Sequence, residues 1–247
     1  MPVNYDNIAG RYDTVRPSGA DFCFGRLAEA LRGAGCVLEI GAGTGNTTRF
    51  IAPKIRGLLA ALEPSPGMIA RAREKGTGGL WLRGRAPGLP FGPACFDAVY
   101  STYVMQHVPD LPGFFADCAR VLRGGGVTAH ITVPPSYIAE HPLNLYFPSF
   151  AAIDLGRFPP LETLGGLLEQ AGFEGVRWDI EQDQPKPMDR TYLARVEAKF
   201  LSTFDLMDPE EYAEGLARLR RDVEAGGGEA GPLITREVAL VRAGLAP

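Results

Sequence analysis

The sequence predicts an α/β fold, doubly wound around a mostly parallel sheet, and three observations carry that expectation. Mostly apolar runs at 37–40 and 58–62 suit strands buried on both faces, and 96–101 and 127–133 read as further strands. Segments with helical spacing, punctuated by proline and glycine, lie between them. The first run passes directly into Gly41-Ala42-Gly43-Thr44-Gly45 and then Asn46-Thr47-Thr48. Alternate glycines suit a tight turn where backbone approaches a ligand, and the residues after them can open a helix. Strand, glycine turn and helix start form the nucleotide-binding corner of such a fold.

A chain of 247 residues, 45% hydrophobic and 22% charged, is sized for one domain, or a domain plus an insertion, around a substantial core. Its net charge of −4 offers no broad phosphate-binding face, so a nucleic-acid substrate is not expected. Cys23, Cys36, Cys95 and Cys118 form no C-x-x-C pair. That argues against zinc, any other metal site or a disulfide framework, and for reduced thiols in the cytoplasm. No apolar run approaches the roughly 18 residues of a membrane span. The N-terminus lacks the basic-then-apolar order of a secretory signal.

The glycine spacing separates two ligand classes. A dinucleotide fingerprint, G-x-G-x-x-G, would put its third glycine where Asn46 stands; the third glycine is Gly45. Val37-Leu38-Glu39-Ile40-Gly41-Ala42-Gly43-Thr44-Gly45 instead resembles the first motif of class I S-adenosyl-L-methionine (SAM)-dependent methyltransferases, in their small-molecule, UbiE-like branch. The resemblance implies a Rossmann-like, seven-stranded sheet with an antiparallel last strand and helical lid insertions. It also implies SAM as cofactor and S-adenosyl-L-homocysteine as product, with Glu39, Gly41, Ala42, Gly43 and Gly45 around the methionine tail.

From the N-terminus, Tyr5, Ile8, Tyr12 and Val15 predict a short amphipathic helix within 3–16, ended by Arg16-Pro17. Tyr5-Asp6, Ala9, Tyr12-Asp13 and Arg16-Pro17 resemble the N-terminal lid of small-molecule methyltransferases, here 1–18, whose aromatics face the ligand. Packing on the core is the other reading of the same tyrosines. Residues 19–33 predict a helix with Phe22, Leu27, Ala30 and Leu31 buried. After the glycine corner a helix spans about Thr47 to Ala52. The strand at 58–62 ends in Glu63, 22 residues after Gly41, close to the interval at which an acid meets ribose hydroxyls. Pro64-Ser65-Pro66-Gly67-Met68 follows. The resemblance counts Pro64 with the cofactor site and sets Met68 against adenine. The next helix runs to about Lys75, where Gly76 ends it.

The third strand is expected at 79–83. Where the family continues G-D-A-x-x-L-P-F, this chain has Gly84-Arg85-Ala86-Pro87-Gly88-Leu89-Pro90-Phe91. Arg85 replaces an acid that accepts from the adenine amino group, and a guanidinium only donates. Either adenine rests on the Ala86 backbone alone, or Arg85 faces solvent; weaker SAM affinity is one consequence. The fourth strand, 96–101, ends in Ser101, which the resemblance places near the cofactor's amino group. The same resemblance brings His107 beside the transferred methyl, as a general base or a packing residue. Tyr12, on the lid, is the second catalytic candidate.

A helix at 112–122 leads into Ala119-Arg120-Val121-Leu122-Arg123-Gly124-Gly125-Gly126, similar to a family turn that has proline in place of Gly124. The fifth strand is expected at 127–133. Pro134-Pro135-Ser136-Tyr137 does not meet the D/N/S-P-P-Y signature of DNA amino-methyltransferases, which follows the fourth strand with its aromatic directly after the prolines. Two insertions, 134–160 and 183–231, are expected to cap the strand ends and form the substrate pocket. Tyr137, His141, Tyr146, Phe147, Phe150 and Phe158 of the first read as a pocket wall or as an elaboration packed on itself. A helix at 161–171, closed by Gly172, precedes the sixth strand at 176–181. In the second insertion 191–201 is helical, and Asp208-Pro209-Glu210-Glu211 is a strong start for a helix to about Ala225, closed by Gly226-Gly227-Gly228. Arg218, Arg220 and Arg221 on it, interleaved with acids, suit a solvated face. Residues 233–241 suit the last strand, and the whole of 1–247 reads as a single domain.

These motifs imply transfer of the SAM methyl group to an oxygen, nitrogen or carbon nucleophile of a small molecule, by a monomer or homodimer. Orientation alone supplies about 7–11 kcal/mol in such reactions, so no strong base is obligatory. Three readings stay open beside it. One is a SAM-binding scaffold or sensor without catalysis. Another is an NAD(P)-dependent oxidoreductase, against which the missing third glycine and Tyr-x-x-x-Lys pair count. The last is methylation of RNA or protein, with the acidic balance speaking against RNA.

Overall fold

In the computed structural model, which describes residues 5–15, 22–226 and 232–247, seven strands form one sheet. They are β1 (Cys36–Ile40), β2 (Leu58–Glu63), β3 (Leu80–Arg83), β4 (Phe96–Thr102), β5 (Leu122–Thr132), β6 (Phe173–Gln182) and β9 (Glu237–Leu245). Their order is β3-β2-β1-β4-β5-β9-β6. The strands from β3 to β5 are mutually parallel, and β9 runs antiparallel to both its neighbours. Chain direction across the sheet reverses between β1 and β4. The crevice beyond their carboxyl ends is therefore the topological switch point, where ligands of doubly wound folds bind.

Alternation along each central strand feeds two cores. Leu38, Ile40, Leu62 and Val99 pack under α5 (Leu111–Val121) and α8 (Leu161–Gln170), with Phe114, Phe115, Leu164 and Leu168. Val37, Leu59, Ala61 and Tyr100 face α2 (Phe24–Ala30) and α3 (Asn46–Ile51), with Leu27, Leu31 and Ile51. The expected helix at 19–33 is shorter: Cys23 and Phe24 are buried, whereas Phe22 and Ala30 are half-buried. Arg16-Pro17 and residues 19–21 lie outside the described residues.

Two expectations shift at strand ends. The last strand begins at Glu237, because β8 (Leu233–Ile234) is taken up by an antiparallel ribbon with β7 (Lys186–Pro187) at the base of the second insertion. The glycine run after Leu122 belongs to β5 rather than to a turn. A Cβ on Gly124 would stand 2.7 Å from the carbonyl carbon of Pro247, so the chain's end occupies the space that a proline there would need.

The two insertions share a third core. Leu143, Phe147 and Phe150 from the first meet Met188, Leu193, Val196, Phe204, Leu219 and Val223 from the second. Helix α10 (Pro209–Ala225) crosses Phe147 at Gly215, where a Cβ would lie 2.5 Å from the ring. The aromatics Tyr146, Phe147 and Phe150 thus pack in a core that the two insertions share. As expected, Asp208 caps α10 by accepting from the backbone N–H groups of Glu210 and Glu211. Gly227-Gly228 lie outside the described residues. Arg218 is exposed, yet its guanidinium donates to the Tyr146 carbonyl and ties the helix to the first insertion. No helix among the described residues is long and apolar enough to cross a membrane.

Candidate active site

The glycine corner is knitted to the neighbouring strand: the N–H groups of Gly41 and Ala42 both donate to the Leu62 carbonyl, at 2.8 and 3.1 Å. Gly41, Gly43 and Gly45 have φ of 69°, 56° and 80°, the left-handed region that costs side-chain-bearing residues strain. They are left bare for different reasons. A Cβ on Gly41 would strike Val104 at 2.4 Å and one on Gly45 would strike Thr77 at 2.6 Å, so both permit close packing. A Cβ on Gly43 would meet no atom of the described residues within 4 Å. Backbone at Gly43 therefore faces open space.

Two buried carboxylates flank this corner. Glu63, at the end of β2, accepts from Gly43 N–H through Oε2 and from Ser65 N–H through Oε1, both at 2.9 Å. Burial raises its pKa and the two backbone donors oppose that rise. Each oxygen retains a lone pair, so the group can still accept from two hydroxyls. Glu39, near the end of β1, accepts from the Thr48 hydroxyl at 2.6 Å through Oε2. Its Oε1 and the hydroxyl of neighbouring Tyr100 are buried and make no well-aligned hydrogen bond among the described residues, although that hydroxyl is close enough to favour the Glu39 carboxylate. Burial pushes Glu39 up to about 7. A buried carboxylate oxygen in this state calls for a donor or cation.

Helix α1 (Tyr5–Val15) is fastened across both loops. Asp6 accepts from the Ser65 hydroxyl and from Gly67 N–H, the latter at 3.1 Å. These bonds, the hydroxyl's first, hold the Asp6 carboxyl below its ordinary pKa. Asp13 accepts from the Thr44 hydroxyl at 2.6 Å and the Asn46 amide at 3.3 Å, and pairs with Lys75 Nζ at 3.0 Å. The same helix brings Tyr5 to the turn after β4. The Tyr5 hydroxyl lies 2.7 Å from His107 Nε2, and the Tyr12 ring is 6.3 Å from that of Tyr5. Neither aspartate was singled out as functional in the sequence. Their seven-residue separation, which sets them on one helix face, was the available signal.

Of the other candidates, Met68 is buried on α4 (Pro66–Glu74), with its N–H on the Ser65 hydroxyl that caps the helix. Pro64 is exposed beside Glu63, and its carbonyl accepts from Arg83 Nε at 3.3 Å. Ala86 is half-buried after β3, while Arg85 is exposed. Arg85 thus faces solvent. Ser101 is fully buried, and its hydroxyl is bonded not toward the glycine corner but to His130 Nδ1 at 2.8 Å, a partner the sequence did not signal. His141 sits in the cap, where Nδ1 accepts from Leu143 N–H at 3.1 Å and burial lowers its pKa to about 4.

A doubly wound sheet with a bare-backbone corner, an acid at each of the first two strand ends and a fastened N-terminal helix defines a nucleoside-binding methyltransferase fold. The profile of the methyltransferase domain family matches residues 38–129. A malonyl-(acyl-carrier protein) O-methyltransferase of Herminiimonas arsenicoxydans is 30% identical over 190 residues, covering 74% of this chain and 69% of the relative. A demethylmenaquinone methyltransferase of Tropheryma whipplei is 30% identical over 162 residues, 58% of this chain and 67% of the relative. Among solved structures, a methyltransferase from an antibiotic biosynthesis pathway of Anabaena variabilis has a TM-score of 0.66 at 24% identity. It covers 87% of this chain and 96% of its own, a likeness of fold. The chain belongs to the class I SAM-dependent methyltransferases and is an enzyme of that class. Its residues fit the cofactor: Gly43 leaves room for it, Glu63 has acceptor capacity to spare, and Glu39 Oε1 makes no well-aligned hydrogen bond among the described residues. When bound, SAM supplies an activated methyl group and leaves as S-adenosyl-L-homocysteine.

Proposed function

We propose that the methyl acceptor is a small molecule held between α1, the end of β4 and the cap formed by the two insertions. The observation that carries this reading is the lid. Asp6 and Asp13 fasten α1 across the two cofactor loops, and Tyr5 reaches His107. A site covered in this way suits a compact acceptor and disfavours a polymer. The printed names of the relatives, a quinone-precursor and a malonyl-thioester methyltransferase, support a small acceptor of this kind.

On this reading Glu39, Gly41, Ala42, Gly43 and Gly45 hold the methionine tail, and Glu63 takes the ribose. Pro64, Met68 and Ala86 border adenine, with Ser101 near the amino group. Tyr5 and Tyr12 exclude water from the acceptor, and His107 takes a proton from an oxygen or nitrogen nucleophile. The enzyme works in the cytoplasm as a monomer or homodimer and takes no nucleic acid.

The test is release of S-adenosyl-L-homocysteine by wild-type protein across hydroxylated quinones, phenols, carboxylic acids and amines, beside tRNA, DNA and a protein lysate. Turnover confined to the small molecules is expected. Turnover on a polymer alone would overturn the reading.

A further inference from the structure

His130 stands on β5 with no exposed surface, between the rings of Phe114 and Phe115 at 5.6 and 5.5 Å. Its Nδ1 is 2.8 Å from the Ser101 hydroxyl and its Nε2 is 2.7 Å from the Thr128 hydroxyl. Burial lowers its pKa to about 3, so the ring is neutral, with one nitrogen donating and the other accepting.

Two proton arrangements are open to this chain of groups. With the proton on Nδ1, Ser101 accepts from the ring, and its own O–H finds no acceptor among the described residues. With the proton on Nε2, the ring donates to Thr128, and the Thr128 hydroxyl donates to the Val99 carbonyl at 3.4 Å. The Ser101 hydroxyl then donates to Nδ1, and every proton has an acceptor. A buried donor without a partner costs more than an under-used lone pair, so the second arrangement prevails.

We propose that this buried relay, Ser101 to His130 to Thr128 to the Val99 carbonyl, commits the Ser101 hydroxyl inward and so fixes the end of β4, making His130 a positioning residue for the ligand held beside the glycine corner. Ser101 pairs across the sheet with Ile40, the residue before Gly41, so the relay ends beside the glycine corner. Ser101 is itself fully buried, so its hydroxyl touches no ligand and the relay acts by holding the β4 backbone at that edge. The docking half of this inference rests on the cofactor placement proposed above; the proton arrangement does not.

Nitrogen NMR of ring-labelled histidine in the full-length apo chain reads the arrangement directly, with His107→Asn and His141→Asn used to assign the three rings. The expected result is a neutral His130 ring protonated at Nε2 and accepting at Nδ1. An Nδ1-protonated ring would overturn the relay. Thr128→Val, nearly isosteric, removes the acceptor for Nε2–H. It is expected to abolish that tautomer preference and weaken SAM binding roughly three- to tenfold by calorimetry, and Thr128→Ser to restore both. Ser101→Ala is expected to weaken SAM to a similar degree, with Thr128→Val adding nothing further in that background. Full additivity of the two would show that Thr128 acts through packing and overturn the positioning role. A wild-type chain with the expected tautomer but no SAM binding would overturn the cofactor placement instead, and the docking half with it.

Discussion

The hydroxyl of Tyr5 lies 2.7 Å from Nε2 of His107, joining the first described helix to the turn after β4 across 102 residues of chain. The rings meet edge to face, 5.3 Å between centroids. This contact holds the His107 ring under the lid. If His107 takes a proton from the nucleophile, His107→Asn lowers kcat by about 100-fold or more, the usual worth of a positioned base. Tyr5→Phe, which keeps the ring and loses only the hydroxyl, gives a smaller loss. The pH–rate profile of wild type then shows an ascending limb that His107→Asn lacks. Identical profiles would return His107 to a packing role.

Glu63 makes two backbone hydrogen bonds and has capacity for two more. Glu63→Ala is expected to weaken SAM about 10- to 150-fold, the range for lost hydrogen bonds to a charged group. Calorimetry on both proteins checks this, and equal affinity would defeat the ribose assignment.

Glu39 predicts a pH dependence with a definite sign. Its folded value of about 7 lies above its ordinary 4.5, because burial disfavours the charge. The apo protein therefore holds this proton more tightly folded than unfolded. The associated stability, of order 3 kcal/mol, is complete below 4.5 and is lost as pH rises through 7. A bound ammonium group favours the ionised form, so SAM binding releases a proton and its affinity climbs with pH up to neutrality, then levels. Calorimetry in buffers of different ionisation heat should detect the released proton in wild type and none in Glu39→Gln.

Asp13 pairs with Lys75 at 3.0 Å, both side chains being roughly a quarter exposed. Asp13→Asn should cost little global stability, about 1 kcal/mol or less, since partly exposed pairs are screened. Its effect belongs to the lid: SAM should dissociate several-fold faster by stopped flow. An unchanged off-rate would show that α1 does not retain the cofactor.

Gly215→Ala probes the cap. The new methyl would stand 2.5 Å from the Phe147 ring, an overpacking worth about 1–3 kcal/mol. Thermal unfolding should show that loss, and Phe147→Leu in the same chain should recover part of it.

Much of the sheet was legible in the sequence because its signals are local. A strand buried on both faces is largely apolar, and a glycine turn with left-handed backbone favours glycine wherever it occurs. β1, β2 and β4, the Asp208 cap and the spacing from Gly41 to Glu63 are of this kind. Periodicity says that a side chain is buried but not against what. That is why Phe147 suits a pocket wall and a core equally, why nothing local to Ser101 signals His130, and why residues 233–236 read as part of the last strand. Gly124 shows the same limit: only the folded chain brings Pro247 against it. The sequence by itself determined the fold class, the cofactor corner and the family. The tertiary structure alone decided the partners of Asp6, Asp13, Ser101 and Tyr5, because hydrogen bonds spanning some 30 to 100 residues are selected by how the layers dock.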